Sequence, residues 1–319
     1  MIEIPQVKEL IGQMKAEIKK VIVGQERVVD LIIAALLIRG HVLIEGVPGT
    51  AKTLTVKTIS RIIGAGFRRL QMTPDLMPSD VVGTTVYDVK TGEFRVQKGP
   101  IFSDLILVDE INRAPAKTQS ALLECMEERQ VTIEGNRFDL SPIFMVLATQ
   151  NPLEYEGTYA LPEAQLDRFM FKILISYPEG SEENQVLEKF EAGFRADELK
   201  NVGLSVLADV EKVRACQEAI RAVKTKPGII DYITGLVRLT RTWNDLQVGG
   251  GVRSSIGLHL ASKAVALMDG RDFVTPDDVK AVIFPVMRHR IILKPEAEIE
   301  GITPDDALKA IVGQVKVPR

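Results

Sequence analysis

Residues 46–53 read Gly46-Val47-Pro48-Gly49-Thr50-Ala51-Lys52-Thr53. The spacing of glycine, lysine and threonine is that of a phosphate-binding loop, with Ala51 standing where the pattern has its second glycine. Glycines let the backbone turn its N–H groups inward toward phosphate oxygens. A helix that starts at the loop adds its positive end to the same anion. Lys52 is then placed for the β- and γ-phosphates, and Thr53 offers a hydroxyl to magnesium. Alanine is the smallest residue with a Cβ, so the departure at Ala51 is read as mild. On both sides the context fits. The apolar run His41 to Ile44 is a buried strand entering the loop, and residues 52–63 carry a helical pattern.

Three further apolar runs, at 101–108, 143–148 and 169–175, read as buried strands, with a helical pattern at 115–128. Strands alternating with helices predict an α/β fold with a mostly parallel sheet. The first of these runs ends in Asp109-Glu110. A strand tip delivers both carboxylates to the sheet edge where ligands bind in open α/β folds. Asp109 suits magnesium through its water shell, and Glu110 suits a general base for an attacking water. The second run ends Ala148-Thr149-Gln150-Asn151-Pro152. Alone, Asn-Pro reads as a turn signal. Beside the other two motifs, the Asn151 amide suits a role orienting that water. Arg168, in Leu166-Asp167-Arg168-Phe169, reads equally as a surface ion pair or as a cation for the charge that develops in phosphoryl transfer. Arg253 follows the glycine run 249–251, and by itself reads as an incidental arginine in a loop between domains.

Helical patterns at 6–20 and 25–38 precede the loop. The break at Tyr177-Pro178-Glu179-Gly180 sets a domain boundary, and beyond it helical patterns recur at 181–193, 205–223, 226–240, 252–268 and 276–284. Residues 68–99 and 129–140 contain turn signals at Lys90-Thr91-Gly92 and Glu134-Gly135-Asn136. Both stretches are read as insertions projecting from the core.

With 45 % apolar residues among 319, the chain can bury a core. A net charge of −3 argues weakly against nucleic acid as partner. Cys125 and Cys216 stand far apart, which fits a reducing compartment. His41, His259 and His289 lack metal-ligand spacing. The N-terminus shows no secretory pattern, and Leu31 to Ile38, the longest apolar run, is far short of a membrane span. A soluble, cytoplasmic protein without membrane insertion is expected.

GVPGTAKT, LILVDE, ATQNP and LDRF stand in the order found in AAA+ ATPases, and a helical region follows. Over nearly its full length the chain resembles the MoxR family. Val23-Gly24-Gln25-Glu26, the stretch QMTPDLMPSD at 71–80, Asp109-Glu110-Ile111-Asn112-Arg113-Ala114, GRDFVTP at 270–276 and Arg288-His289-Arg290 carry the resemblance. It implies a P-loop NTPase αβα domain at 1–178, with inserts at about 68–99 and 129–140, and a smaller all-α lid at 179–319. It implies ATP/ADP and Mg2+ as ligands. Val23 and Gly24 are implied beside the adenine. Gly46, Val47, Pro48, Gly49, Thr50, Ala51, Lys52 and Thr53 are implied around the phosphates, with Thr53 and Asp109 at the metal. Glu110 is the implied base, Asn151 the first sensor, Arg168 a finger acting on a neighbouring subunit's nucleotide, and Arg253 the second sensor. The family's proline before that arginine is absent from GGGVR. The two inserts resemble the family's helix-2 insert and pre-sensor hairpin, which face a ring pore. The resemblance further implies a hexameric ring that remodels protein clients, with von Willebrand factor A domain proteins as partners and sometimes metal-cofactor insertion as the outcome. A nucleic-acid motor, a chelatase-type motor subunit and a non-hydrolysing nucleotide scaffold are the competing readings.

Overall fold

A computed structural model describes residues 2–47, 49–151 and 159–318, so Pro48 of the phosphate loop lies outside the described residues. The chain opens with α1 (Ile4–Lys19) and α2 (Glu26–Leu37), then β1 (Val42–Gly46) and α3 (Lys52–Ile62) on either side of the loop. Next come β2 (Phe67–Gln71), α4 (Pro78–Val82) and the antiparallel hairpin β3 (Gly83–Asp88) and β4 (Glu93–Lys98). β5 (Leu105–Asp109) and α5 (Ala116–Glu128) lead to a second hairpin, β6 (Gln130–Ile133) and β7 (Asn136–Asp139). β8 (Met145–Gln150), α6 (Glu163–Leu166) and β9 (Phe171–Ile175) complete this half.

Among the described residues β2, β5, β8, β1 and β9 form one parallel sheet in that order. β5 is buried at all five positions, as a Leu/Ile/Val run covered on both faces must be. One face packs against α1, α2 and α3 through residues such as Ile32, Ile44, Ile59 and Leu107. The other packs against α5 through Leu43, Ile106, Leu122 and Phe144. The strand order sets the carboxyl ends of β1, β5 and β8 side by side, which is where an open α/β sheet holds its ligand. That edge carries the loop at 46–53, the acidic pair and the Thr149-Gln150-Asn151 end of β8.

The first insert, expected from residue 68, starts later than that. Residues 67–71 are β2, the edge strand of the main sheet, paired along its whole length with β5. Only Leu70 of β2 is buried, and Arg68 and Arg69 break its apolar pattern, which is why the sequence hides it. The projecting part is α4 with β3 and β4. Gly83 pins the base of that hairpin at φ +100, where a Cβ would lie 2.3 Å from the Gln97 carbonyl oxygen. Near its tip the exposed rings of Tyr87 and Phe94 pack 5.2 Å apart.

The second half holds α7 (Gly180–Glu191), α8 (Val210–Ala219), α9 (Pro227–Thr240), β10 (Leu246–Val248), α10 (Val252–Met268), α11 (Pro276–Met287), β11 (Ile292–Leu293), α12 (Pro295–Ile299) and α13 (Pro304–Gln314). It is helical except for β10 and β11, a short antiparallel pair that the sequence did not reveal. α11 runs three residues past its expected end, through Pro285. Its apolar face joins the core shared with α1 and α2, so Ile33, Ala35, Leu258, Ala261 and Val282 belong to one continuous cluster. Among the described residues no helix is long and apolar enough to cross a membrane.

Candidate active site

At the carboxyl edge of the sheet a cavity of about 500 Å³ is lined by Gly46, Gly49, Thr50, Ala51, Lys52 and Thr53 from the loop. Asp109, Glu110, Thr149 and Asn151 line its opposite wall, together with Arg69 and Gln71. Local geometry explains the loop's composition. A Cβ on Gly46 would lie 2.4 Å from the Ile175 carbonyl oxygen, so β1 can pass β9 only as glycine. Gly49 adopts φ +85 and Ala51 φ +55, left-handed positions of the kind with which a loop can turn its amides toward an anion. Among the described residues no side chain caps the N-terminus of α3, which leaves its first N–H groups available to an anion. The left-handed backbone at Ala51 makes the alanine more than a mild departure, since that conformation costs an L-residue about 1–2 kcal/mol.

Lys52 opens α3 and donates from Nζ to the Gly46 carbonyl. Partial burial lowers its pKa, while Asp109, Glu45 and Glu110 pull it back up. The ammonium therefore lies within electrostatic reach of the acidic pair. Asp109 is 8 % exposed and accepts at Oδ2 from Arg69 Nε at 2.6 Å. Its Oδ1 accepts from the Thr149 hydroxyl at 3.2 Å, and that hydroxyl accepts from the Glu110 N–H at 3.0 Å. Thr149 thus holds both acidic residues through one oxygen. Glu110 sits at φ 57, a strained position for a residue with a side chain. Its Oε2 accepts from Gln71 Nε2 at 2.7 Å and forms an ion pair with Arg113 Nε at 3.2 Å.

These donors and acceptors fit a magnesium nucleotide. Uncapped amides and Lys52 suit the phosphates, and the oxygens of Thr53 and Asp109 are the hard ligands magnesium takes. Arg69, Gln71 and Thr149 were not singled out in the sequence. Cross-strand register brings them in: Gln71 lies opposite Asp109, and Thr149 opposite Ile44. Gln71 carries no sequence signal of its own, because the exposed Arg68 and Arg69 hide the strand that places it.

The remaining candidates lie elsewhere. Gly24, at φ +66, packs against the Glu182 carboxylate, and Val23 is half-buried beside it. Neither lines the phosphate cavity. Their neighbour Gln25 donates from Nε2 to the Thr50 carbonyl at 2.9 Å, and its Oε1 is buried without a partner among the described residues. Gln25 also lines a separate cleft of about 580 Å³ walled by Ile173 to Glu179 and by Phe284 and Arg288. Arg168 and Arg253 lie on the side of α5 and away from the cavity. Arg168 Nη1 donates to the Leu123 carbonyl at 2.5 Å. Arg253 pairs with Glu127 at 2.8 Å and with Asp167 at 3.5 Å.

Comparison with known proteins bears on the family and the fold. Residues 41–171 match the ATPase family associated with various cellular activities (AAA), and residues 238–311 match the AAA lid domain. The uncharacterized protein YeaC of Bacillus subtilis (strain 168) is 45 % identical, covering 97 % of this chain and 95 % of that protein. Chaperone MoxR1 of Mycobacterium tuberculosis (strain ATCC 25618 / H37Rv) is 42 % identical over 95 % of this chain and 81 % of its own length. A crystal structure from Cytophaga hutchinsonii ATCC 33406, described as a candidate ATPase, superposes with a TM-score of 0.92 at 40 % identity, covering 99 % and 97 % of the two chains. With a phosphate loop, an acidic strand tip and a helical lid in one continuous fold, this chain belongs to the MoxR family of AAA+ ATPases.

Proposed function

We propose that this chain hydrolyses ATP with Mg2+ and uses the cycle to remodel protein partners, in a ring whose sites are completed by neighbouring copies. One observation carries the reading: the tip of β5 and the phosphate loop open into the same cavity, with Thr149 bonded to both acidic residues. In this reading the amides of 49–53 and Lys52 hold the phosphates, and Thr53 and Asp109 hold the metal. Bound magnesium supplies charge neutralisation at the phosphate oxygens. Glu110 takes the proton of the attacking water, and Asn151 orients that water. The unpartnered Gln25 Oε1 supplies an acceptor for the amino group of a purine near Val23 and Gly24.

Arg168 and Arg253 act in trans in this proposal. Both are held next to α5 by groups they can exchange for a phosphate: a single carbonyl for Arg168, and half-exposed carboxylates for Arg253. A site that needs a neighbour's cation gives a physical reason for a closed ring of copies, six in the family's usual form. The division into a nucleotide domain at 1–178 and a lid at 179–319 belongs to the same proposal, as do a cytoplasmic setting and von Willebrand factor A domain proteins as partners.

Glu110→Gln tests it. ATP should stay bound while turnover falls by at least about 10²-fold. A pull-down with this variant in ATP should retain a protein client. Unchanged turnover would remove Glu110 from the chemistry, and recovery of nucleic acid alone would favour the nucleic-acid motor.

A further inference from the structure

Arg288-His289-Arg290 follows α11; His289 and Arg290 reach across to residues 167–170 around Arg168, while Arg288 bonds Asp305 and the Lys172 carbonyl of β9. Arg290 has a side chain only 5 % exposed. Its Nε donates to Asp167 Oδ1 at 2.7 Å. Its Nη2 donates to the carbonyls of Phe169 at 2.7 Å and Asp167 at 3.3 Å. Its Nη1 donates to Met170 O at 3.2 Å and to Val286 O. Every one of the five guanidinium N–H groups is therefore used, four of them on residues 167–170. His289 Nε2 donates to the same Phe169 carbonyl at 2.9 Å, and Arg288 Nη1 to Lys172 O at 3.1 Å. General stability does not call for this degree of specification at one turn, since burying a charge costs free energy unless each donor is met.

We infer that Arg290 is a positioning residue for Arg168. It fixes the backbone on both sides of Arg168, while among the described residues the Arg168 side chain is held by one hydrogen bond, to the Leu123 carbonyl. Asp167 is the shared handle: its Oδ1 takes Arg290, and its Oδ2 faces Arg253 at the start of α10. Two cations from the second half of the chain thus grip the residue next to Arg168. The way the helical half seats on the sheet sets where that arginine points. The inference rests on the reading of Arg168 as a cation for a neighbouring copy's nucleotide.

Full-length Arg290→Lys keeps the charge and loses the fork. Turnover should fall by about 10²-fold, the order expected when a reacting group is misplaced by about 1 Å. Nucleotide affinity and KM should stay within about two-fold of wild type, because the chain's own phosphate loop is untouched. Mixing this variant with Lys52→Ala should restore turnover, since an intact loop then meets an intact Arg168 at mixed interfaces. A fold defect would not be repaired this way. Asp167→Ala, which leaves Arg290 its carbonyl partners, should show the same pattern with a smaller loss of about 10-fold, and serves if Arg290→Lys fails to fold. Turnover near wild type in both variants, or a loss that mixing does not repair in either, overturns the inference. Arg168→Ala separates the two levels. If it keeps full turnover, the trans reading of Arg168 falls and takes this inference with it. If it is inactive and repaired by mixing while Arg290→Lys and Asp167→Ala are not, the inference alone falls.

Discussion

At the residue scale, the octet 46–53 announced its chemistry through side-chain type and spacing alone, but not its strain. Ala51 adopts φ +55. The left-handed penalty of about 1–2 kcal/mol exceeds the cost of about 0.5–1 kcal/mol that glycine's extra chain freedom carries. Ala51→Gly should therefore raise stability by about 0.5–1 kcal/mol, read as a higher urea midpoint at constant slope; a lower midpoint would mean the loop is not strained there. Thr149 shows the opposite limit. Nothing in ATQNP distinguishes its hydroxyl, because its two partners are the last residue of β5 and the one after it, and only the fold brings them near. Thr149→Val keeps the shape and removes one donor and one acceptor. It should cost about 1–2 kcal/mol of stability and at least about 10-fold in turnover. Turnover within two-fold of wild type would show that the acidic pair needs no such tether.

At the element scale, the buried strands β1, β5, β8 and β9 were legible because sheets covered on both faces write continuous apolar runs. β2 was not, because an edge strand with Arg68 and Arg69 writes no such run. α11 was read short because proline usually ends a helix, yet Pro285 sits inside it with Val286 and Met287 still buried in the core. Two buried histidines tie elements together. His41 donates from Nε2 to the Met126 carbonyl at 3.1 Å at the end of α5 and accepts at Nδ1 from the Val146 N–H of β8 at 2.9 Å. Burial pushes its pKa down to about 3, helped by Arg129 nearby. His289 is likewise driven well below the ordinary range by burial and by Arg290. Both are neutral in the folded chain, while the unfolded chain takes up their protons below about pH 6.5. Their contribution is complete above that pH and is lost as pH falls toward the folded values. Each accounts for up to about 1.4 kcal/mol per pH unit. Urea unfolding between pH 7 and pH 5 should show this decline, and His41→Gln should make it shallower. An unchanged slope in that variant would mean His41 carries no such linkage.

At the scale of the whole molecule, the order of motifs along the chain carried the fold, but not where the two arginines lie. Spacing says nothing about which side of α5 they occupy. Their distance from the cavity becomes a statement about assembly. Arg168→Ala should bind ATP normally and hydrolyse it at least about 10²-fold more slowly, and mixing it with Lys52→Ala should bring part of the rate back. No recovery from two assembling variants would remove the proposed sharing of sites between copies.

The continuous cluster from α1 and α2 to α10 and α11 has a further effect. Neither half owns its apolar surface. A fragment ending at residue 178 would strip the cover from Ile33 and Ala35 and precipitate rather than serve as a minimal enzyme. In a scanning calorimeter the intact chain should melt in one endotherm, and two separate peaks would mean that the halves come apart before they unfold.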